Sequence, residues 1–559
     1  MIRSGTGLAA DLIRAGIHHP AAPLIALVLI AVPVLFYRRV LSRSAQVRNR
    51  VRALRWRIRL RLRPGPGYAS LPELVFRWGR LAALSHGRRA RPGLPLRYRL
   101  IRPVTDYAVR LGRAQLGRRC LGRMEDQQLV IAAPRTGKSG YLADRLLDHP
   151  GPAITTSTRV DLYALTAGVR SRRGPVEIFN PQNIGGLAST FSWDILGPCR
   201  DLVMARRIAA WLTGATVSQG ANLGNIEWFG AKAATALGVI MWAAAVSGRT
   251  ITDVFGWVQL WNHDQALRVL ADHPDSTPEM LAVAKRAFAD NRTSGSIRDS
   301  MELSLAWAIV PQLADAVTPA PGRGFDVQRF LGQNGTLYLV APGDEDSPVA
   351  SVFAAFTSWV HWAAGLAGTN SPHGRLDPPL WLGLDEVSQI CPINLPVLLA
   401  DSAGKGIMIT AVVHGVSQLQ ERWGEHGAAT ILATCGTKVI LPGLSDSQTL
   451  ESLSALCGSV VIGDDDTVPV VPPELIRALP DWRALVIRMN LSPCVVKIRP
   501  AWKRISFRLG RVPAMVPQPP RPPRAEVIPA PELAELDPVP DAFPLPGSPE
   551  RAPWLTDRR

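Results

Sequence analysis

From Gln127 onward, short apolar runs alternate with longer stretches of helical period, a rhythm that predicts a mostly parallel α/β sheet. Gln128-Leu-Val-Ile-Ala-Ala133 reads as a buried strand, followed after a tight turn by a helical run from Tyr141. Pro379-Leu-Trp-Leu-Gly-Leu384 and Met408-Ile-Thr-Ala-Val-Val413 read as two more strands. Between them, residues 200–330 lose strand patterning and read as helices over 201–213, 227–246, 251–271 and 277–292. Trp211, Trp228, Trp242, Trp257, Trp261 and Trp307 recur through this stretch. At helical spacing such residues read as core first and as base-stacking platforms second.

These shifts divide the chain into a short N-terminus with an apolar helix (1–37), a basic segment (38–124), a first α/β part (125–198), an all-α insertion (199–330), a second α/β part (331–508) and a Pro-rich tail (509–559). The tail cannot bury a core and reads as disordered, partly polyproline II, serving as a recruitment arm or as a solvated end. An apolar content of 47% with 16 Trp excludes global disorder. The six cysteines lie far apart without a C-x-x-C pair, which gives neither a zinc signature nor a disulfide framework and suits a reducing cytoplasm.

The net charge of +18 is localised. Residues 38–123 are rich in Arg, lack Lys and hold only two acids, Glu73 and Asp106, whereas the chain from Met124 is acidic on balance. Uniform nucleic-acid-binding basicity would look different. Just before this segment, Pro20–Tyr37 is an uncharged apolar run of 18 residues, near the lower limit for a membrane span. A signal peptide or a buried helix are the other readings. A basic collar in place of a cleavage site favours a retained single-pass anchor with the bulk of the chain cytoplasmic. Arg55, Arg57, Arg59, Arg61 and Arg63 alternate with Trp56, Ile58, Leu60 and Leu62. Such a ribbon suits anionic membrane lipids, and a solvated linker or a DNA-phosphate contact are the alternatives.

Candidate chemistry sits at the strand ends. Ala132-Ala133-Pro134-Arg135-Thr136-Gly137-Lys138-Ser139-Gly140, between a strand and a helix, has the setting of a phosphate cradle. Ala133, Pro134, Arg135, Thr136, Gly137, Lys138, Ser139 and Gly140 are the nucleotide-binding candidates. Backbone amides would face the phosphates of ATP, Lys138 would reach the β- and γ-phosphates, and Ser139 would ligate Mg²⁺. Ala132 replaces the first glycine of the pattern. Asp385 and Glu386 end the second strand, Asp385 as the Mg²⁺ candidate and Glu386 as the general base. Capping of a following helix is the alternative. His414, at the end of the third strand, is either a γ-phosphate sensor or a loop histidine with its hydrogen bonds satisfied.

In order and spacing these stations resemble the conjugative coupling proteins of type IV secretion, the TraG/TraD-like family. The similarity continues through Ile154-Thr-Thr-Ser-Thr, Gly174-Pro-Val-Glu-Ile-Phe-Asn-Pro181, Phe191-Ser-Trp-Asp-Ile-Leu196, the aromatic-led Glu227–Leu237, Val416-Ser-Gln-Leu-Gln and Ile431–Lys438. The resemblance implies a RecA-like P-loop NTPase domain split by an all-α domain and assembled as a homo-oligomer, a hexamer. It implies an ATPase that recruits a relaxase–DNA complex and passes single-stranded DNA to type IV secretion channel components. An FtsK-type translocase, a type VII secretion motor and a nucleotide-switched receptor that docks substrate without pumping are the alternatives. Four departures stand out. Ser157-Thr-Arg159-Val-Asp161 replaces an Asp-Pro-Lys-Gly-Glu type segment, and the sensor glutamine falls at His414. The arginine-bearing turn is Ala403-Gly404-Lys405-Gly406, so Lys405 or a remote Arg takes the finger role. One span stands where two are usual.

Overall fold

The computed structural model describes residues 65–216, 224–320, 322–343, 347–462 and 466–504. The apolar run Pro20–Tyr37, the Arg55–Arg63 ribbon and the Pro-rich tail 509–559 lie outside the described residues.

Eleven strands form one sheet: β1 (Ala108–Arg113), β2 (Arg119–Arg123), β3 (Gln128–Ile131), β4 (Ala153–Ser157), β5 (Val176–Phe179), β6 (Thr336–Val340), β7 (Leu380–Leu384), β8 (Ile407–Val413), β9 (Thr437–Ile440), β12 (Arg483–Arg488) and β13 (Leu491–Lys497). The order is β2-β1-β13-β12-β9-β3-β8-β7-β4-β6-β5, and β10 (Ser459–Ile462) and β11 (Asp466–Pro469) form a separate hairpin. From β9 to β5 all neighbours are parallel, while β12, β13, β1 and β2 continue the sheet antiparallel.

Apart from the edge strand β5, the parallel strands are buried throughout because helices cover both faces, which explains their continuous apolar reading. Within each strand the side chains still alternate between two cores. Leu129, Leu337, Leu382 and Ile409 belong to one, and Val130, Tyr338, Trp381 and Met408 to the other. The first core runs on without a break into the helical insertion.

The insertion lies between β5 and β6, as its helical patterning predicts. Its helices are Leu202–Thr216, Gly224–Val246, Ile251–Val258, Asp264–Asp272, Pro278–Phe288 and Arg292–Leu305. The single helix expected over 251–271 is two helices, because Leu260 and Asn262 take left-handed backbone between them. Trp242, Trp257 and Trp307 are core, as the helical spacing suggests, whereas Trp261 is 73% exposed. Among the described residues Trp228–Val246 is long and apolar enough to cross a membrane, and here it forms the packed centre of the insertion.

The described part of the basic segment is built into the sheet domain. Its helix Arg80–Ala90 packs on β1 and β2, Leu71–Phe76 and Leu96–Ile101 pack against that helix, and β1 pairs with β13. The expected boundary at residue 124 therefore does not separate two folded bodies. All six cysteines are buried free thiols.

Candidate nucleotide site

β8 lies between β3 and β7, so the strand ending at His414 stands between the phosphate loop and the paired acids. All three run parallel, with β3 in register with β8 and β8 with β7. Ala132, Asp385 and His414 thus leave the sheet at the same edge, where ligands of doubly wound sheets are held.

The loop after β3 turns through left-handed backbone at Arg135 (φ 62°) and Gly137 (φ 100°) before the helix Lys138–Asp148 begins. The Thr136 hydroxyl donates to the Ala133 carbonyl at 2.7 Å and ties the loop together. Ala132 carries no such strain in place of glycine: it continues the ladder, donating its N–H to Val413 at 3.0 Å.

Lys138 reaches over to the acids, with Nζ on Glu386 and 3.8 Å from Asp385 Oδ1. His414 Nε2 is 3.1 Å from Glu386 Oε1, and His414 Nδ1 is 3.0 Å from the Ala132 carbonyl. Both ring nitrogens face acceptors, an arrangement that favours the protonated ring. Its pKa is raised accordingly, first by the Glu386 hydrogen bond, with burial acting the other way. The hydrogen bonds of the His414 ring are thus satisfied, and one of them is to the candidate base.

The neighbouring acids differ. Burial pushes Glu386 up, but hydrogen bonds from His414 and Lys138 outweigh it and hold the group below its usual range. Asp385 lacks comparable donors; burial pushes it up to about 6, against the attraction of Lys138 and with the repulsion of Glu386. Asp385 Oδ1 and Glu386 Oε2 are buried with no hydrogen-bond partner, an arrangement that fits a cation or a water. Glu386 occupies the N-cap position of the short helix Val387–Ile390 in left-handed backbone (φ 49°), yet its side chain makes no capping bond. That observation speaks against the capping alternative for Glu386. Among the described residues no group of three or more His, Cys, Asp and Glu could hold a metal by itself. A Mg²⁺ ion here would need ligands such as Ser139, Asp385 and phosphate oxygens together.

Lys405 is not part of this gathering. It precedes β8 whereas His414 follows it, and seven strand residues place the two ends roughly 20 Å apart. Its Nζ pairs with Asp401, one helical turn earlier.

Sequence reasoning missed Trp482 and Trp502. A Cβ on Gly137 would stand 2.9 Å from the Trp482 ring, and one on Gly140 2.8 Å from the Trp502 ring. Two glycines directly around Lys138 and Ser139 were the available signal, since a missing side chain marks a close approach.

Residues 379–480, from the start of β7 through the hairpin, match the family model described as the TraM recognition site of TraD and TraG. No curated protein matches the chain. Among solved structures, the plasmid coupling protein TrwB in complex with the non-hydrolysable GTP analogue GDPNP has a similar fold. It has a TM-score of 0.56 at 20% identity, with 70% of this chain and 89% of that one covered. The unbound monoclinic form of the bacterial conjugative coupling protein TrwBdeltaN70 gives 0.55 at 19% identity, covering 70% and 88%. TrwB in complex with ADP and Mg²⁺ gives 0.52 at 19%, covering 67% and 86%. With the family segment at residues 379–480 and the fold of solved coupling proteins around it, the resemblance to TraG/TraD-like proteins read from the sequence holds.

Proposed function

We propose that the chain is a membrane-anchored ATPase that recruits DNA or a nucleoprotein substrate and drives it toward a type IV secretion or conjugation channel. The observation that carries this reading is the convergence of Lys138, Asp385, Glu386 and His414 at one sheet edge, with two buried carboxylate oxygens left unpartnered. The fold shared with coupling proteins solved with nucleotide supports it, as does the TraM recognition segment, which suits a protein partner on the substrate side. The apolar run 20–37 and its Arg collar support single-pass attachment to an anionic inner membrane. A homohexameric ring and single-stranded DNA cargo follow from the family resemblance.

The residues divide the work as follows. Loop amides and the helix dipole hold the phosphates of ATP. Lys138, which neutralises Glu386 when no phosphate is present, moves to the β- and γ-phosphates when they enter. Ser139 and Asp385 would hold Mg²⁺, which supplies charge neutralisation at the phosphates. Glu386, released from Lys138 and kept ionised by His414, takes a proton from the attacking water. His414 spans the base and the loop carbonyl of Ala132, so a change at the γ-phosphate reaches the backbone of both strands.

The test pairs nucleotide binding with phosphate release, with and without single-stranded DNA. Lys138→Ala is expected to lose tight binding. Glu386→Gln is expected to bind ATP normally while turnover falls by about 10²–10⁴-fold and DNA stimulation disappears. Wild-type turnover in Glu386→Gln would overturn the base assignment. A wild type that binds nucleotide without hydrolysing it would favour the switched receptor.

A further inference from the structure

The phosphate cradle accounts for one end of a nucleotide and leaves the other undescribed. Loop amides hold α- and β-phosphates and the lysine reaches β and γ. Lys138 points to Glu386, so the γ end lies on the side of the acids. Gly140 follows Lys138 by two residues, which turns it about 200° round the helix, to the opposite side. The nucleoside end of the ligand therefore leaves toward Gly140.

An aromatic wall stands there. Trp482, between the hairpin and β12, lies against Gly137, and Trp502, in the turn Ala501–Lys503, lies against Gly140. Their rings meet edge to face at 5.5 Å and 87°. Lys503 Nζ sits 5.6 Å over the Trp482 ring, and Ile498 donates to the Trp482 carbonyl at 2.9 Å. Trp482 has left-handed backbone (φ 59°), a conformation that a bulky residue adopts only where its surroundings impose it. Trp502 is 42% exposed although it is a large apolar ring.

The wall is also fixed to the cradle. Arg504 Nε is 2.7 Å from Asp144 Oδ1 and Arg504 Nη2 is 2.9 Å from Asp148 Oδ1. Both acids lie on the helix that begins with Lys138 and Ser139. A ring carried by this turn thus keeps its distance from the phosphates.

We infer that Trp502 is the platform on which the nucleobase of the bound nucleotide stacks, with Trp482 and Lys503 holding that ring in place. The inference rests on the nucleotide-binding reading above and adds to it the recognition of the base. An indole face takes any base by π-stacking, and truncation of such a platform to alanine costs enough binding to be read directly.

The experiment measures calorimetric affinity of the full-length, detergent-solubilised chain for MgATP and for Mg-tripolyphosphate, which lacks the nucleoside. Trp502→Ala should weaken ATP about tenfold and leave tripolyphosphate unchanged, and Trp502→Phe should restore ATP to within about threefold of wild type. Unchanged ATP affinity in Trp502→Ala would overturn the inference. So would equal weakening of both ligands, which would mean that the turn had collapsed onto the cradle. If the wild type bound neither ligand, the nucleotide-binding reading itself would fail. If it bound both equally tightly, only the platform would.

Discussion

Two buried aspartates about the phosphate loop are treated in opposite ways. Asp144 lies on the helix that follows the loop, and Asp385 lies at the end of β7. Each is almost inaccessible to solvent. Asp144 meets Arg504 Nε at 2.7 Å and Arg110 Nη2 at 3.2 Å, with Arg145 at 3.8 Å. Burial pushes its pKa up, but these guanidiniums outweigh it and bring the group below its usual value. Asp385 has one cation, Lys138 at 3.8 Å, and a backbone hydrogen bond from Glu386, and burial carries it up to about 6. The first acid joins β1, the loop helix and the turn after β13 into one body. The second is kept short of donors, the state in which an arriving cation gains most from it. Burial alone thus does not mark a functional acid; the donors withheld from it do.

The largest effect on this contrast should come from Asp144→Ala. It leaves Arg110 and Arg504 facing each other with one anion, Asp148, between them. Removing one member of a buried ion network typically costs about 3–5 kcal/mol. Denaturant unfolding should show a loss of that order, and a loss under about 1 kcal/mol would mean that Asp148 suffices to hold the cluster. Nucleotide affinity should fall only as far as the helix and its turn drift apart.

Asp385→Asn should act in the other sense. The folded pKa of Asp385 is raised from 3.8 to about 6, so its contribution to stability is present below pH 3.8 and lost as pH rises through about 6. At pH 7 the ionised group therefore strains the nucleotide-free protein by about 2–3 kcal/mol. Asparagine removes the titration. The variant should be more stable than wild type at pH 7, the gain shrinking below pH 6 and vanishing near pH 4. Thermal unfolding across this range, without nucleotide or Mg²⁺, checks the sign. Phosphate release should be lost at every pH. A variant less stable than wild type at pH 7 would mean that the Lys138 contact outweighs desolvation.

Half of this contrast is readable in the sequence. Asp385, Glu386 and His414 stand at the ends of continuous apolar runs, and parallel strands bring such ends to one edge, so the site follows from local pattern. The order of those strands does not. That β8 separates β3 from β7 depends on non-local pairing, which no single run encodes. β1 was hidden for another reason: its Arg110 and Arg113 read as part of a basic collar, yet Val109 and Leu111 point into the core. The Asp144 network and the packing of Trp482 and Trp502 on Gly137 and Gly140 join residues from opposite ends of the sheet domain. Only the three-dimensional fold makes them neighbours.

The smallest effect belongs to a third acid, which neither network claims. Asp401 is paired with Lys405 one turn later on the surface, where such a pair contributes about 0.3–0.5 kcal/mol. Lys405→Ala should therefore leave unfolding almost unmoved. Within its own subunit Lys405 stands at the sheet edge opposite Glu386, so it has no direct route to the phosphates there. If it serves as the finger of a ring, it must serve the neighbouring subunit, and complementation can show this. Glu386→Gln lacks the base but keeps Lys405, while Lys405→Ala keeps the base. Mixed and reassembled in solution, the two should release phosphate faster than the sum of each alone, because some interfaces then join an intact Glu386 to an intact Lys405. Nucleotide affinity of Lys405→Ala should stay within about twofold of wild type, as the cradle residues are untouched. A mixture no faster than the sum would remove Lys405 from the finger role and leave its pair with Asp401 as a surface contact only.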